Sequence, residues 1–311
     1  MTLPEAALPD MWIYLGVLSS IFLGLYDVSK KHALRGNAVI PVLFFSTLSA
    51  LAWMIPPGLF SFWKPEWMQA HGIYVPMLGI ADQASVFLKS AIVSLSWIFA
   101  YFAFKHLPIS LISPVRASAP VWTLLGALIL FRESPSRLQW IGFFLVIGSY
   151  YAFSLIGGRE GLRLHRNKWV GFVFLSTLIG TCSTLYDKHL IQNRCLAPMA
   201  VQFWFFVYLA VILGAVWLVF WVPGRRRYTP FQWRWSVAAI GAFLFAADFL
   251  YFRALNRKDA LIVILSAIRR SDVLVSFTVG SLLFRDRNVR LKSLALIGVL
   301  AGMLCMILSA R

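Results

Sequence analysis

Arg269, Arg270 and Asp272 sit deep inside one apolar stretch, Arg116 inside an earlier one, and Asp248 in the stretch before Arg269. Charge in hydrocarbon is costly, so intramembrane ionisable residues are functional candidates by default. A guanidinium donates parallel hydrogen bonds that suit a carboxylate or a phosphate. Arg116, Arg269 and Arg270 are therefore candidates to hold an anionic group. The alternative is internal neutralisation: Arg269 and Asp272 are i,i+3 neighbours on a helix, and Asp248 is a partner for Arg270 or Arg116. Arg253 and Lys89 lie nearer the ends of their stretches, where a long side chain can snorkel to the interface. Tyr101 and Tyr251, with Trp97, Trp122 and Trp204, are candidates for a cavity wall, against the commoner role of lipid-facing or interfacial packing.

Other chemistries lack their residues. The histidines form no HExxH, no nucleophile elbow or P-loop occurs, and GREG at 158–161 lacks the lysine and length of a phosphate loop. Cys182, Cys195 and Cys305 form neither CxxC nor an even disulfide framework. No cofactor or metal is implied, and the chain reads as non-enzymatic.

Composition names the elements that must position the candidates. The 311 residues are 60% hydrophobic and 13% charged, against about 45–50% and roughly 25% in soluble domains, and mean hydropathy is +0.76. A soluble enzyme and a disordered chain are both excluded. Apolar runs lie near 11–29, 38–62, 83–104, 109–131, 138–157, 168–187, 199–222, 235–256, 260–284 and 292–310. A helical crossing needs about 20 residues. With no strand-like alternation, the spanning structure expected is helical. The predicted fold class is all-α, a polytopic membrane bundle of ten transmembrane helices. The net charge of +17 comes mainly from short Lys/Arg clusters between runs, where they set orientation and meet anionic lipid headgroups. Nucleic acid is not an expected partner.

Met1–Asp10 is acidic and lacks a basic n-region, so the first run reads as a retained helix. Pro56-Pro57-Gly58 is expected to interrupt the second run, Gly157-Gly158 to end the fifth and Pro223-Gly224 the seventh. Trp63–Pro76 is too polar to span and suits an interface. Gly126, Gly142, Gly148, Gly280, Gly298 and Gly302 are expected to allow close helix packing. The charged connection Gly157–Lys168 divides the runs five and five. The units expected are 1–157, a basic linker 158–167, and 168–311.

That division exposes a repeat. Leu25-Tyr26-Asp27 recurs as Leu185-Tyr186-Asp187, 160 residues on, and Lys31-His32 as Lys188-His189. Tyr101-Phe102 matches Tyr251-Phe252. Arg116-x-Ser118 matches Arg269-x-Ser271, and Phe131-Arg132-Glu133 matches Phe284-Arg285-Asp286, both at a spacing of 153. Five matches in the same order indicate a duplicated five-helix unit. An odd number of crossings makes the copies enter from opposite sides, an inverted 5+5 repeat of the kind that places a transport site between the halves. Tyr26, Asp27 and Lys31, with Tyr186, Asp187 and Lys188, are candidates for gating or coupling. The plainer role is an interfacial tyrosine with an Asp–Lys pair at a helix end. Asp27, Asp187, Asp248 and Asp272 are each candidates to carry a coupling proton if burial raises the pKa.

The stretch from Tyr101 to Phe153 resembles the helix 3–4–5 core of the drug/metabolite transporter superfamily, in its ten-helix EamA-type branch. Pro114 and Pro120 lie in a small-residue fourth helix, Glu133 follows, then Gln139-x-x-Gly142. The second copy is looser, with Asp286 for Glu and no Gln-x-x-Gly. The resemblance implies transport of small organic molecules by alternating access, in a family whose substrates run from amino acids and sugars to nucleotide sugars, phosphorylated metabolites and cations.

The function expected is secondary transport of a small organic solute around a cavity holding Arg116 and Arg269. Lys89, Arg116, Arg253, Arg269 and Arg270 outnumber Asp248 and Asp272, and exceed them by one when Asp27 and Asp187 are added. That tilts the substrate toward an anion or zwitterion. The alternative is a flippase for an anionic lipid or lipid-linked headgroup. Membrane lipids and a coupling proton are the other expected partners; the sequence does not specify the oligomeric state. The location expected is the bacterial inner membrane. Odd-numbered loops hold 16 of the 29 Lys and Arg residues, against eight in even-numbered loops and the C-terminus. The positive-inside rule then places odd loops in the cytoplasm and both termini outside, opposite to the arrangement usual for several members of the resembled family.

Overall fold

The computed structural model describes residues 11–131, 136–159, 167–257, 260–284 and 289–308. Glu133, Asp286, Met1–Asp10, Arg311 and most of the central basic linker lie outside them. Each apolar run is helical over most of its described length, since a backbone in hydrocarbon must satisfy its own N–H and C=O groups. In chain order the helices are α1 (Met11–Leu34), α2 (Val39–Trp63), α3 (Pro65–Ala70), α4 (Ile80–His106), α5 (Ile109–Ala117), α6 (Ala119–Phe131), α7 (Arg137–Arg159), α8 (Lys168–Lys188), α9 (Pro198–Val216), α10 (Trp235–Leu255), α11 (Ile262–Arg269), α12 (Asp272–Phe284) and α13 (Val289–Leu308). π-helical turns extend α8 through His189–Asn193 and α9 through Trp217–Trp221. Among the described residues, six helices are long and apolar enough to cross a bilayer: α1, α2, α4, α8 with its π turn, α9 with its π turn, and α10.

Two expected breaks are absent. α2 runs through Pro56 and Pro57 to Trp63. Membrane helices tolerate proline, and in the turn that follows Ser61 Oγ donates to Pro57 O at 2.7 Å. α7 likewise continues through Gly157-Gly158 to Arg159. Pro223-Gly224 does follow the end of its helix. The Trp63–Pro76 segment forms the short α3, with Trp63 and Trp67 exposed.

The fourth and ninth runs are each built of two short helices, and a serine marks both joints. Ser118 Oγ donates to Val115 O and Ser271 Oγ to Ile268 O, each at 2.7 Å. The backbone tightens with them: Ser118 N bonds Val115 O at 3.2 Å and Ser271 N bonds Ile268 O at 3.0 Å. A hydroxyl that competes for the carbonyl three residues back disfavours a straight α-helix. In the fourth run Pro120 also brings no backbone N–H. These joints set Arg116, Arg269 and Arg270 in the middle of the bundle rather than at its ends.

Around them α1 lies along α10, α4 along α8 and α9, α2 against α9 and α10, and α7 along α13. Small residues permit close approach. A Cβ on Gly24 would meet Val275 Cβ at 2.5 Å, one on Gly302 would meet Gly142 O at 2.6 Å, and one on Gly280 would meet Ile109 Cγ2 at 2.7 Å. Gly126 and Gly298 similarly abut Leu185 and Ser149. Gly148 is the exception, with nothing within 4 Å of its Cβ direction.

Candidate functional site

α8 is apolar on most sides, yet Ser176, Thr177, Gly180, Ser183, Thr184 and Asp187 recur at helical spacing and share one face. That face forms one wall of a cavity of about 130 Å³, lined elsewhere by α1, α4, α5, α9, α10 and α11. Five cations reach it: Lys30, Lys89, Arg116, Arg269 and Arg270. Asp187 and Asp248 line it as well, while Asp27 and Asp272, each 1% exposed, lie behind the wall and pair with its cations.

Burying five cations demands compensation, because an unpaired charge in low dielectric costs several kcal/mol. Asp27 accepts from Arg116 and, at 2.8 Å, from Lys30. Asp187 accepts from Lys89, and Asp248 from Arg269. Aromatic faces add to this: Lys30 Nζ lies 3.9 Å from the Phe104 ring centre and 4.2 Å from that of Tyr26. The Arg269 guanidinium lies 4.1 Å from the Tyr251 ring centre, and Lys89 Nζ 4.6 Å from that of Phe205. Arg270 is different. Its nearest carboxylate is Asp272 at 4.0 Å, and neither Arg270 Nε nor Asp272 Oδ1 has a hydrogen-bond partner among the described residues.

The structure brings together Arg116, Arg269, Arg270, Asp248, Tyr251, Tyr26 and Asp187 on or against this cavity. The anticipated Arg269–Asp272 pair is not formed, and Asp248 serves Arg269 rather than Arg270 or Arg116. Trp97 lines the cavity, but Trp122 and Trp204 do not. Tyr101 is buried beneath Lys30, with its hydroxyl 3.3 Å from Ser46 Oγ. Lys31 is a helix-end clasp rather than part of the cavity: its ammonium donates to Phe104 O at 2.8 Å and Leu107 O at 2.6 Å. Tyr186, stacked on His189, and Lys188 also lie outside the lining.

Two features escaped the sequence reading, Lys30 and the hydroxyl face of α8, and Lys89, a weaker candidate there, lies deeper than expected. Lys30, counted there among loop charges, is 1% exposed inside α1; its i,i+3 spacing from Asp27 was the available signal. Lys89 does not snorkel but is 3% exposed and paired with Asp187. The hydroxyl face of α8 was visible as periodicity. Arg253, by contrast, leaves the cavity and donates to His71 O at 3.2 Å and Gly72 O at 2.8 Å, holding the segment after α3.

The fold has a counterpart among solved structures. One described as "Crystal structure of protein" superposes with a TM-score of 0.67 at 13% identity, covering 96% of this chain and 98% of its own. No curated protein sequence matches. The EamA-like transporter family matches residues 10–155, the half with the sharper motifs. Residues 10–155 are thus similar to the EamA-like transporters, consistent with the drug/metabolite transporter superfamily, and the apolar helices mark an integral multi-pass membrane protein.

Proposed function

We propose that this chain is a secondary transporter of the bacterial inner membrane that moves a small anionic or zwitterionic organic solute by alternating access. The observation that carries the reading is the central cavity, whose five lining cations meet two aspartates in the wall and two buried behind it. Evolutionarily costly buried charge of this kind marks a substrate or ion pathway. In this reading ten helical crossings form two inverted units, 1–157 and 168–311, joined by the basic linker 158–167.

Reciprocal packing supports the inverted repeat. α1 lies along α10 as α8 lies along α4, and α2 meets α10 as α9 meets α4. α1 touches α11 and α12 as α8 touches α5 and α6, while α5 with α12 answers α11 with α6. The matched joints at Ser118 and Ser271 fit the same relation. The convergence of seven helices on one small cavity favours a solute over a lipid headgroup. Uptake into proteoliposomes, compared for carboxylates, phosphorylated metabolites, amino acids and cations, tests the proposal. Saturable uptake of an anion or zwitterion is expected; uptake of cations alone would overturn the substrate class, and movement of labelled lipid without solute would overturn the transport reading.

A further inference from the structure

Arg116 and Arg269 look equivalent in sequence, yet the structure gives them occupations that Arg270 does not have. Arg116 is committed to Asp27 and Arg269 to Asp248. Arg270 has no counterpart in the first half, where the residue after Arg116 is Ala117. It lines the cavity, its side chain is 17% exposed, its closest acid is 4.0 Å away, and its Nε is unpartnered. A buried guanidinium carries five N–H donors and no acceptor. Arg270 thus lacks the close carboxylate that each of its two neighbours has, and its donors face the cavity with that charge uncompensated.

The remaining wall has the opposite character. Thr177 donates its hydroxyl to Val173 O at 2.8 Å, Thr184 to Gly180 O at 3.1 Å, and Ser96 to Ser176 O at 2.8 Å. With each hydroxyl hydrogen used on a backbone carbonyl, the oxygen lone pairs remain to accept. A solute that fits both walls presents a charge-delocalised oxyanion at one end and hydroxyl donors at the other. The cavity volume of about 130 Å³ suits a small solute.

We infer that Arg270 anchors the oxyanion, carboxylate or phosphate, of a small hydroxylated solute, while Arg116 and Arg269 hold the frame through their aspartates. The inference rests on the transporter reading and assigns the chemistry of its site. Contact with Arg270 places the oxyanion beside the joint between α11 and α12. The α8 hydroxyls then select for hydroxyl donors on the far end of the solute.

The test is equilibrium binding of labelled glycerate and glycerol 3-phosphate to the purified full chain in nanodiscs, with glycerol and acetate as competitors. The wild type is expected to bind at least one of the two probes saturably, with glycerol and acetate competing poorly. Arg270→Gln is expected to weaken binding about 30-fold or more, the loss typical of a desolvated charged partner, with partial retention in Arg270→Lys. Arg116→Lys and Arg269→Lys keep the frame charge and should lose less affinity than Arg270→Gln, while Arg253→Lys, away from the cavity, should bind within a few-fold of wild type. Should Arg270→Gln fail to fold, the double variant Arg270→Gln/Asp272→Asn removes both members of the loose pair and must show the same loss. Wild-type affinity in either neutral variant, or no binding of either probe by the wild type, overturns the anchor. Proteoliposome flux separates the two readings. Transport of some other solute that survives Arg270→Gln defeats the anchor alone, whereas binding with no flux of any solute defeats the transporter reading alone.

Discussion

Lys31 and Gln192 perform the same task at the carboxyl ends of two different long helices. Lys31 donates to Phe104 O and Leu107 O beyond the last turns of α4, and Gln192 Nε2 donates to Leu255 O at 3.1 Å and Ala260 O at 3.0 Å beyond α10. The repeat offset of 160 read from Leu25-Tyr26-Asp27 would set residue 191 opposite Lys31. The π-helical turn His189–Asn193 carries one extra residue per turn and brings Gln192 into that place. The match of Lys31 with Lys188 in sequence is therefore not a match of position. The last carbonyls of a helix have no intrahelical donor, and each clasp supplies one.

The clasps make a stability prediction. Lys31→Met and Gln192→Leu should each lower the unfolding free energy by about 1–3 kcal/mol, the cost of orphaning buried acceptors. Thermal unfolding in detergent reads this directly. Unchanged melting in both variants would show that water replaces the clasp.

Lys89 and Asp187 join α4 to α8 across the midpoint of the chain, both almost fully buried. Removing one partner strands a charge, so Lys89→Met or Asp187→Asn alone should cost about 3–5 kcal/mol. The double variant should be less damaged than the sum of the singles. A cycle with strictly additive costs would contradict the pairing.

Arg116→Ala and Arg269→Ala should differ. Asp27 keeps Lys30 at 2.8 Å when Arg116 is lost, whereas Asp248 has no other ion-pair partner among the described residues. Arg269→Ala is expected to cost about 3–5 kcal/mol and Arg116→Ala less, measured as yield of folded protein and melting temperature. Equal loss would assign Asp27 wholly to Arg116.

Helix contact makes a sharper contrast. A Cβ on Gly241 of α10 would come within 2.5 Å of Ser49 Cβ on α2, while Gly148 of α7 faces open space. Gly241→Ala should destabilise by about 1–3 kcal/mol through overpacking, and Gly148→Ala should be neutral or slightly stabilising because alanine is the better helix former. Melting curves of the two variants side by side would expose any reversal.

Orientation is open to a direct measurement. Lys30 leaves the loop tally, because it is buried in α1, so the odd loops hold 15 rather than 16 basic residues against eight. The majority survives, and the odd loops remain the expected cytoplasmic side. Reporter fusions within Arg159–Lys168 should be active in the cytoplasm and one at Arg311 inactive there. The opposite pair of results would reverse the topology.

Much of this was legible in the residues. Hydropathy located the helical runs, since every residue in hydrocarbon pays separately for its polarity and the sum over a run is unmistakable. The duplicated Arg-x-Ser was legible as a repeat, and the structure places it at both central joints, which the continuous apolar runs did not announce. Arg116, Arg269, Arg270 and Asp248 were found as candidates because their cost is a property of one residue in one stretch.

Pairing was not local, and only the tertiary structure decided it. Asp248 meets Arg269 across two helices, Asp187 meets Lys89 across two halves, and Asp27 divides itself between Arg116 and Lys30. Sequence distance carries no information about such contacts when helix packing sets them. The same packing turned Lys30 inward, let α2 continue through two prolines, and left Arg270 without a close carboxylate. Which charges are neutralised and which still face the cavity depends on the angles at which helices cross, a property of the assembled bundle and of no single segment.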